Sequence, residues 1–223
     1  MIITNNNITK TLLGVIALPI DKPTKEINKT EVRYYTFLKH SHLRIFAHMS
    51  SHIPKEQDPI GQAMMDYIQN PSANKDSIIH VDTNITEGES IPTPYFFRTY
   101  DEMPLSERTA LDLSQGKVLD LGAGSGVHSL HLQKKGFEVH PIDISELSVQ
   151  VMKKRGVQNV RLKDFKELEG EKYDTILLLM NGIGMVQHIS NLPKYLAHFK
   201  ELLTPNGQIL IDSTDILYMF EQE

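Results

Sequence analysis

The 223-residue sequence contains no cysteine. Disulfide bonds and thiolate metal sites are therefore excluded, and the absence is compatible with the reducing cytoplasm, where we expect the protein to reside. Long apolar runs are missing as well. The longest one, from Leu12 to Ile20, is interrupted by Pro19 and is far shorter than the roughly twenty residues that a membrane helix needs. We expect no membrane partner.

The chain has no excess of positive charge. The chain has 23 Lys and Arg residues against 28 Asp and Glu residues, a net charge of −5, whereas nucleic-acid binding requires clustered cations. We therefore expect a small-molecule or protein partner and no nucleic acid. The charge is also uneven, because residues 1–57 have a net charge of +4 and residues 58–223 a net charge of −9. This change predicts a boundary near Asp58.

Three regions are predicted along the chain. Residues 1–57 form an N-terminal extension, residues 58–104 a helical and aromatic lid segment, and residues 105–223 the core. In the second region, Asp58 is placed to cap a helix that has Pro59 at its first position. The aromatic stretch from Ile91 to Pro104 is interpreted either as a hydrophobic plug on the core or as a lid over a ligand.

From residue 117 onward, short β-rich runs alternate with helical stretches, which is the pattern of a doubly wound α/β domain with a mostly parallel sheet. The run from Thr175 to Leu179 is interpreted as apolar on both faces, as is typical of a central strand. We predict five strands, Lys117 to Asp120, Glu138 to Asp143, Asn159 to Lys163, Tyr173 to Leu179 and Gln208 to Asp212. The helices between them are predicted at Val127 to Lys135, Glu146 to Arg155 and Leu192 to Leu203.

The first of these strands runs directly into Gly122, Gly124 and Gly126 and then into a helix. Alternate glycines allow a tight turn and a close approach of a ligand to the main chain. Asp143 follows 21 residues after Gly122, at the end of the second strand, where a carboxylate can accept hydrogen bonds from both ribose hydroxyls of an adenosine. Together these residues predict an adenosine-type ligand.

The glycine spacing distinguishes between two such ligands. A dinucleotide fingerprint would require glycine at position 127, which is Val127. The pattern from Asp120 to Gly126 instead resembles the signature of class I S-adenosylmethionine-dependent methyltransferases, and the resemblance extends over about residues 95 to 215. It implies methyl transfer from S-adenosyl-L-methionine, a strand order of 3-2-1-4-5 and a ligand at the carboxyl ends of the strands.

The resemblance also implies roles for individual residues. The methionine portion would be held by Asp120 and the loop from Gly122 through Ala123 and Gly124 to Gly126, and the ribose by Asp143 with Ile144 beside it. Asp164 and Phe165 would bracket the adenine, and Met180 and Asn181 would lie near the amino group and the departing methyl group. Arg98 is interpreted either as a partner of the cofactor carboxylate or as a surface arginine.

Two features depart from the family pattern. Pro141 lies inside the second strand, where it removes a hydrogen-bond donor and predicts a bulge or a local break. After the fourth strand the sequence is Asn181-Gly182-Ile183-Gly184 rather than the Asn/Asp-Pro-Pro-aromatic signature associated with methylation of planar nitrogens. This difference favours a small-molecule acceptor.

The histidines define neither a metal site nor a general base. His128 and His131 share a helix face without a carboxylate partner in the pattern, so packing or surface roles are expected and no metal is predicted. His188 follows the fourth strand, where a base could reach an acceptor, but an ordinary solvated histidine is the simpler interpretation. The catalytic residue is left open. Two other functions also remain: cofactor binding without catalysis, and a nicotinamide-dependent oxidoreductase.

The end of the sequence raises a question about the sheet edge. The family resemblance implies two further strands after the fifth, yet about ten residues follow Asp212. We expect an incomplete chain whose fifth strand leaves an exposed edge. Two β-compatible runs near the N-terminus, Thr11 to Ile20 and Val32 to Leu38, are alternative candidates for covering that edge.

Overall fold

The computed structural model describes residues 2–4, 35–38, 41–44, 52–82 and 89–212. The α-helices are α1 (Pro59–Gln69), α2 (Leu105–Leu113), α3 (Val127–Lys134), α4 (Glu146–Lys154) and α5 (Leu192–Leu202). The first five strands are β1 (Ile2–Thr4), β2 (Tyr35–Leu38), β3 (Ser41–Arg44), β4 (Ile78–Asp82) and β5 (Glu89–Pro92). The others are β6 (Lys117–Leu121), β7 (Glu138–Asp143), β8 (Arg161–Leu162), β9 (Tyr173–Leu178) and β10 (Leu203–Ile211).

The main sheet has the order β1-β10-β9-β6-β7-β8. Strands β6 to β10 pair in parallel, and their order confirms the predicted 3-2-1-4-5 arrangement. Strand β6 therefore has β7 on one side and β9 on the other. The direction of winding reverses between β6 and β9, which is the point where doubly wound sheets bind their ligands.

Helices cover both faces of this sheet, as the apolar run in β9 predicts. Ile176 and Leu178 belong to a buried cluster that includes Phe199 of α5. Leu177 faces the opposite way and packs in a second cluster with Leu111 of α2. Successive residues of a strand point to opposite faces, so burial at every position requires a layer on each side. The α/β class is confirmed.

The bulge that Pro141 predicts is wrong. The register of β7 against β6 is regular through this residue, and Pro141 pairs with Asp120. The carbonyl of Ile142 points towards β6, where it accepts from Gly122 N at 3.0 Å. Because adjacent residues point their polar groups to opposite sides, the Pro141 nitrogen faces β8, and β8 pairs only with Ile142 and Asp143. The missing donor therefore has no ladder partner to lose.

The edge of β10 is paired by a segment that the sequence analysis did not nominate. Strand β1 pairs with β10 antiparallel, in the register Ile2↔Leu210 to Thr4↔Gln208, so the expectation of an uncovered edge is wrong at these positions. The run Val32 to Leu38 is not the cover, because its Tyr35–Leu38 portion pairs with β3 and β4 in a second sheet. The run Thr11 to Ile20 lies outside the described residues.

The second sheet has the order β3-β2-β4-β5 and is antiparallel throughout. Its β2–β4 pair joins the predicted N-terminal extension to the predicted lid segment. The division of the chain at residues 57/58 and 104/105 stays a prediction.

Within the parts of the chain that the structure describes, no helix is long and apolar enough to cross a membrane.

Candidate functional site

The glycine loop leaves β6 at the carboxyl edge of the sheet and is fixed to β7 through its amides. The Gly122 and Ala123 amides both donate to the Ile142 carbonyl, at 3.0 and 3.1 Å, and Gly126 N donates to Ala123 O at 2.8 Å. Because these amides already donate hydrogen bonds within the protein, they are not available as donors to a ligand. What the loop offers a ligand is a close approach to its backbone. Helix α3 begins immediately after the loop.

The three glycines of the loop all have left-handed backbone, with φ of +66°, +55° and +78° for Gly122, Gly124 and Gly126. Their surroundings differ. A Cβ at Gly124 would meet no atom of the described residues within 4 Å, whereas a Cβ at Gly126 would lie 2.9 Å from both Met152 Cγ and Val157 Cγ2. Gly124 therefore keeps the loop open to an incoming group, and Gly126 allows the loop to pack against α4.

Asp143 lies at the end of β7 and faces the glycine loop. One carboxylate oxygen accepts from Gly124 N at 2.8 Å and the other from Ser145 N at 2.8 Å. A carboxylate has about four acceptor positions, so two further hydrogen bonds fit this group. Burial raises the pKa of Asp143 to about 6, against the lowering effect of the two amides, and the nearby Asp58 and Asp120 raise it further.

Asp120 lies in β6, two residues before the first glycine of the loop, and is only 2% exposed. Its carboxylate accepts from Ser129 Oγ at 2.6 Å, which joins β6 to α3. Burial raises the pKa of Asp120, while His128 and the Ser129 hydrogen bond lower it. The hydrogen bond ties β6 to the helix that follows the loop, and the part of Asp120 in holding the methionine portion stays a prediction.

Arg98 belongs to a buried charge cluster and is not a surface residue. Its guanidinium donates to a Glu107 carboxylate oxygen and, at 2.7 Å, to the Tyr95 carbonyl. His128 lies 2.7 Å from the same oxygen of Glu107. This oxygen is the carboxylate partner that the sequence pattern around His128 did not reveal, because it comes from α2, 21 residues earlier in the chain.

Asp164 and Phe165, the two residues predicted to bracket the adenine, have different surroundings in the structure. Asp164 caps a short 3-10 helix by accepting from Lys166 N at 3.0 Å. Phe165 is 7% exposed and belongs to the core, where its ring lies 5.2 Å from the Tyr195 ring and 5.5 Å from the Phe199 ring. Its ring packs mainly against α5, so an adenine role would involve its remaining edge and stays a prediction.

The turn after β9 contains Met180 and Asn181, both with left-handed backbone at φ of +56° and +59°. Their amides donate to the two oxygens of one carboxylate, that of Asp212, each at 2.8 Å. Asp212 is a residue that the sequence analysis did not single out. The only local signal was its position at the end of the fifth predicted strand, where doubly wound folds place ligand-binding groups.

A second segment beside the site was also missed. Ile53 N donates to the Ile144 carbonyl at 2.8 Å, and Lys55 Nζ lies 2.9 Å from Glu146 of α4. Asp58 accepts from the Ser145 hydroxyl as well as from Gly61 N, so it caps α1 and contacts the start of α4. The sequence predicts the cap but not the contact, since the two residues are 87 positions apart.

The remaining candidate histidines lie in different places. His188 is exposed in the loop after β9, whereas the ring of His131 stacks on Tyr100 with centroids 4.3 Å apart. Among the described residues, no group of three or more His, Asp or Glu side chains is arranged to hold a metal ion.

Comparison with known proteins places this site in a family. Residues 97–219 match the family model described as a methyltransferase domain. A solved structure of a SAM-dependent methyltransferase from Bacteroides fragilis, in complex with S-adenosyl-L-homocysteine, is 45% identical, with a TM-score of 0.71; the match covers 78% of this chain and 71% of that one.

Two curated relatives match shorter parts. A ubiquinone biosynthesis O-methyltransferase from Rickettsia conorii is 26% identical over 125 residues, which are 52% of this chain and 42% of the relative. A 23S rRNA (uracil(747)-C(5))-methyltransferase from Pyrococcus abyssi is 39% identical over 69 residues, 30% of this chain and 17% of the relative. The chain thus spans less than half the length of these relatives. The family model, the solved structure and the glycine loop agree, and the chain belongs to the class I S-adenosylmethionine-dependent methyltransferases.

Proposed function

We propose that this protein transfers the methyl group of S-adenosyl-L-methionine to a small-molecule acceptor. The observation that carries the proposal is the pairing of Asp143 with the glycine loop at the point where the strand order reverses. The Asp143 carboxylate is held 2.8 Å from Gly124 N and keeps acceptor capacity for two hydroxyl donors. Gly124 leaves room beside it for a close approach.

These residues fit an adenosine-containing cofactor. The ribose has two adjacent hydroxyls, and both can donate to one ionised carboxylate. A nicotinamide dinucleotide fits less well, because position 127 is Val127 and its side chain is 7% exposed where the dinucleotide pattern has glycine.

When bound, the cofactor supplies an activated methyl group on a sulfonium centre. The protein residues then have to bind the cofactor, orient it towards the acceptor and exclude water. Asp143 fixes the ribose, and the glycine loop sets how close the methionine portion lies to β6. The Met180–Asn181 turn borders the cofactor site at the end of β9. Holding the reacting atoms about 3 to 3.5 Å apart and in line accounts for most of the rate enhancement expected of such a site.

The choice of a small-molecule acceptor rests on three observations. The net charge is −5, which disfavours a nucleic-acid substrate. The turn after β9 lacks the Asn/Asp-Pro-Pro-aromatic sequence. Curated relatives are named as ubiquinone biosynthesis O-methyltransferases, which favours oxygen as the first acceptor atom to test. The rRNA methyltransferase match covers 30% of this chain and gives less support.

The test is a turnover assay that follows S-adenosylhomocysteine formation. Purified protein and S-adenosyl-L-methionine are incubated with one panel of candidate acceptors at a time. The panels are small-molecule hydroxyl compounds, small-molecule amines and structured RNA. We expect product with members of the hydroxyl panel and none with RNA, and loss of that product in Asp143→Ala. Binding of the cofactor without product in any panel would favour a binding protein without catalysis, and product with RNA alone would overturn the acceptor class.

A further inference from the structure

The turn after β9 has a conformation that Met180 does not favour. Left-handed backbone costs most residues with a side chain about 1–2 kcal/mol, although asparagine tolerates it better, and Met180 and Asn181 adopt it in succession. Gly182, which would adopt it freely, comes directly after them, and Gly184 follows two residues later. Such backbone persists only where surrounding groups hold it, and it is concentrated at ligand sites.

The group that holds this turn is the Asp212 carboxylate. Its two oxygens accept one amide each, from Met180 and Asn181, both at 2.8 Å. Asp212 N also donates to the Leu178 carbonyl at 3.3 Å, so the clamp sits where β9 and β10 end side by side. A single carboxylate with two charge-assisted hydrogen bonds therefore offsets the strain at Met180 and fixes Asn181 in the same conformation.

The clamped turn lies next to the glycine loop. The methyl carbon of Met185 is placed 3.6 Å from the Cβ position of Gly122 and 4.0 Å from that of Gly182. Met180 itself is 39% exposed, which leaves its side chain accessible at the carboxyl edge. Burial raises the pKa of Asp212, the Asn181 and Met180 amides lower it, and Glu107 of α2 and His128 of α3 have smaller effects of opposite sign. Met185 therefore lies between the residue that follows the clamped turn and the first glycine of the loop.

We propose that Asp212 is a positioning residue that holds the Met180–Asn181 turn as a wall of the cofactor site beside the glycine loop. The proposal rests on the proposed function, because that function makes this edge a cofactor site. Asp212 acts through the two amides and does not itself contact the reacting atoms. The clamp presets the wall before the cofactor arrives, so that binding does not have to order the turn.

The chain contains a matched control for this role. Asp174 also bridges neighbouring elements with both carboxylate oxygens, accepting from Lys117 N and from Thr204 Oγ1, each at 2.8 Å. It lies at the opposite, amino-terminal edge of the same strands. A substitution of Asp174 removes a comparable pair of hydrogen bonds without touching the ligand edge.

The experiment measures S-adenosylhomocysteine affinity by calorimetry and thermal stability for Asp212→Ala, Asp212→Asn and Asp174→Ala. We expect the dissociation constant to be about tenfold higher for Asp212→Ala and to change by less than about twofold for Asp174→Ala. Both substitutions should lower the melting temperature. Asp212→Asn keeps the shape and one acceptor and should lie between wild type and Asp212→Ala. If Asp212→Ala does not fold, Asp212→Asn carries the comparison with Asp174→Ala.

A spectroscopic readout separates positioning from general stability. In wild type, the Met180 and Asn181 amide protons should both resonate downfield because they bond to a carboxylate, and Asp212→Asn should shift both upfield. Asp174→Ala should leave them in place. Unchanged cofactor affinity in Asp212→Ala, together with loss of affinity in Asp143→Ala, would overturn the positioning role alone. Failure of wild type to bind S-adenosylhomocysteine would overturn the proposed function and this role together.

Discussion

Two turns at the carboxyl edge reach left-handed backbone in different ways. After β6, the residues with positive φ are Gly122, Gly124 and Gly126, which adopt it without steric cost. After β9 they are Met180 and Asn181, and a carboxylate more than thirty positions later in the chain holds their amides. The first turn is determined by its own residues and leaves the backbone open. The residues of the second turn carry side chains, and the conformation of this turn depends on a distant part of the chain.

The largest effect is expected inside the glycine turn, from Gly126→Ala. The added methyl would require left-handed backbone of alanine and would lie 2.9 Å from Met152 and Val157, so we expect a loss of about 3 kcal/mol in the free energy of unfolding. Denaturant titration measures it. The control is Gly136→Ala, where φ is +88° but no described atom lies within 4 Å of the Cβ position; its loss should be only about 1–2 kcal/mol. Equal losses would show that packing at Gly126 does not matter.

The pH dependence of cofactor binding should report on Asp143, the partner of the glycine turn. Ribose hydroxyls donate to the ionised carboxylate, whose pKa is about 6. Affinity for S-adenosylhomocysteine should therefore fall as the pH drops through 6, by about tenfold between pH 7 and pH 5. Calorimetry at several pH values measures this. Asp143→Asn should remove the dependence, and a wild-type profile that is flat over this range would contradict the ribose assignment.

The stability of the free protein should depend on pH in the opposite direction to cofactor affinity. The folded-state pKa of Asp143 is raised above its ordinary value of 3.8, so the folded state binds more protons between the two values. The contribution of this group to stability is present below the ordinary pKa and is lost as the pH rises through about 6. The difference in unfolding free energy between wild type and Asp143→Asn, measured from pH 4 to pH 7, should show this trend.

A smaller effect is expected from Gly124→Ala. Stability should fall by only about 1–2 kcal/mol, as for Gly136→Ala, because the methyl has no described neighbour within 4 Å. Cofactor affinity should fall several-fold as well, since the methyl occupies the approach to the loop. An unchanged dissociation constant for S-adenosylhomocysteine would mean that the ligand does not pass close to Gly124.

The smallest effect is expected in the second turn, from Asn181→Gly. Glycine removes the cost of left-handed backbone but adds freedom to the unfolded chain, so the free energy of unfolding should change by less than about 1 kcal/mol. The same substitution should reduce the stability loss caused by Asp212→Ala, because the clamp then has less strain to offset. A double-mutant cycle measures this coupling. Additive effects would show that the carboxylate and the turn are independent.

The comparison also explains which parts of the molecule could be predicted from sequence. The parallel sheet and the glycine turn follow from patterns within short segments, such as the apolar run in β9 and the three alternate glycines. Their structure is decided by neighbours in the chain. The strand order, in contrast, was implied by the family resemblance. The family assignment, which rests on the same segments, is confirmed by the family model and the solved structure.

The features that were missed or wrong depend on distant partners. The bulge at Pro141 was wrong because the missing donor faces the short strand β8, whose length the sequence does not reveal. The cover of β10 comes from Ile2–Thr4, a segment too short to show a pattern. Asp212 was missed because an aspartate after a strand is common, and its role appears only when the Met180–Asn181 turn is placed beside it. The cofactor contacts of the candidate residues stay predictions.

The central claim is that Asp143 and the glycine loop bind S-adenosyl-L-methionine, and calorimetry with S-adenosylhomocysteine and NAD tests it most directly. Wild type should bind S-adenosylhomocysteine in preference to NAD. A folded Asp143→Ala variant should bind S-adenosylhomocysteine more weakly by about 1.5–3 kcal/mol, which is at least tenfold in the dissociation constant. Tighter binding of NAD, or an unchanged dissociation constant in the variant, would contradict the account.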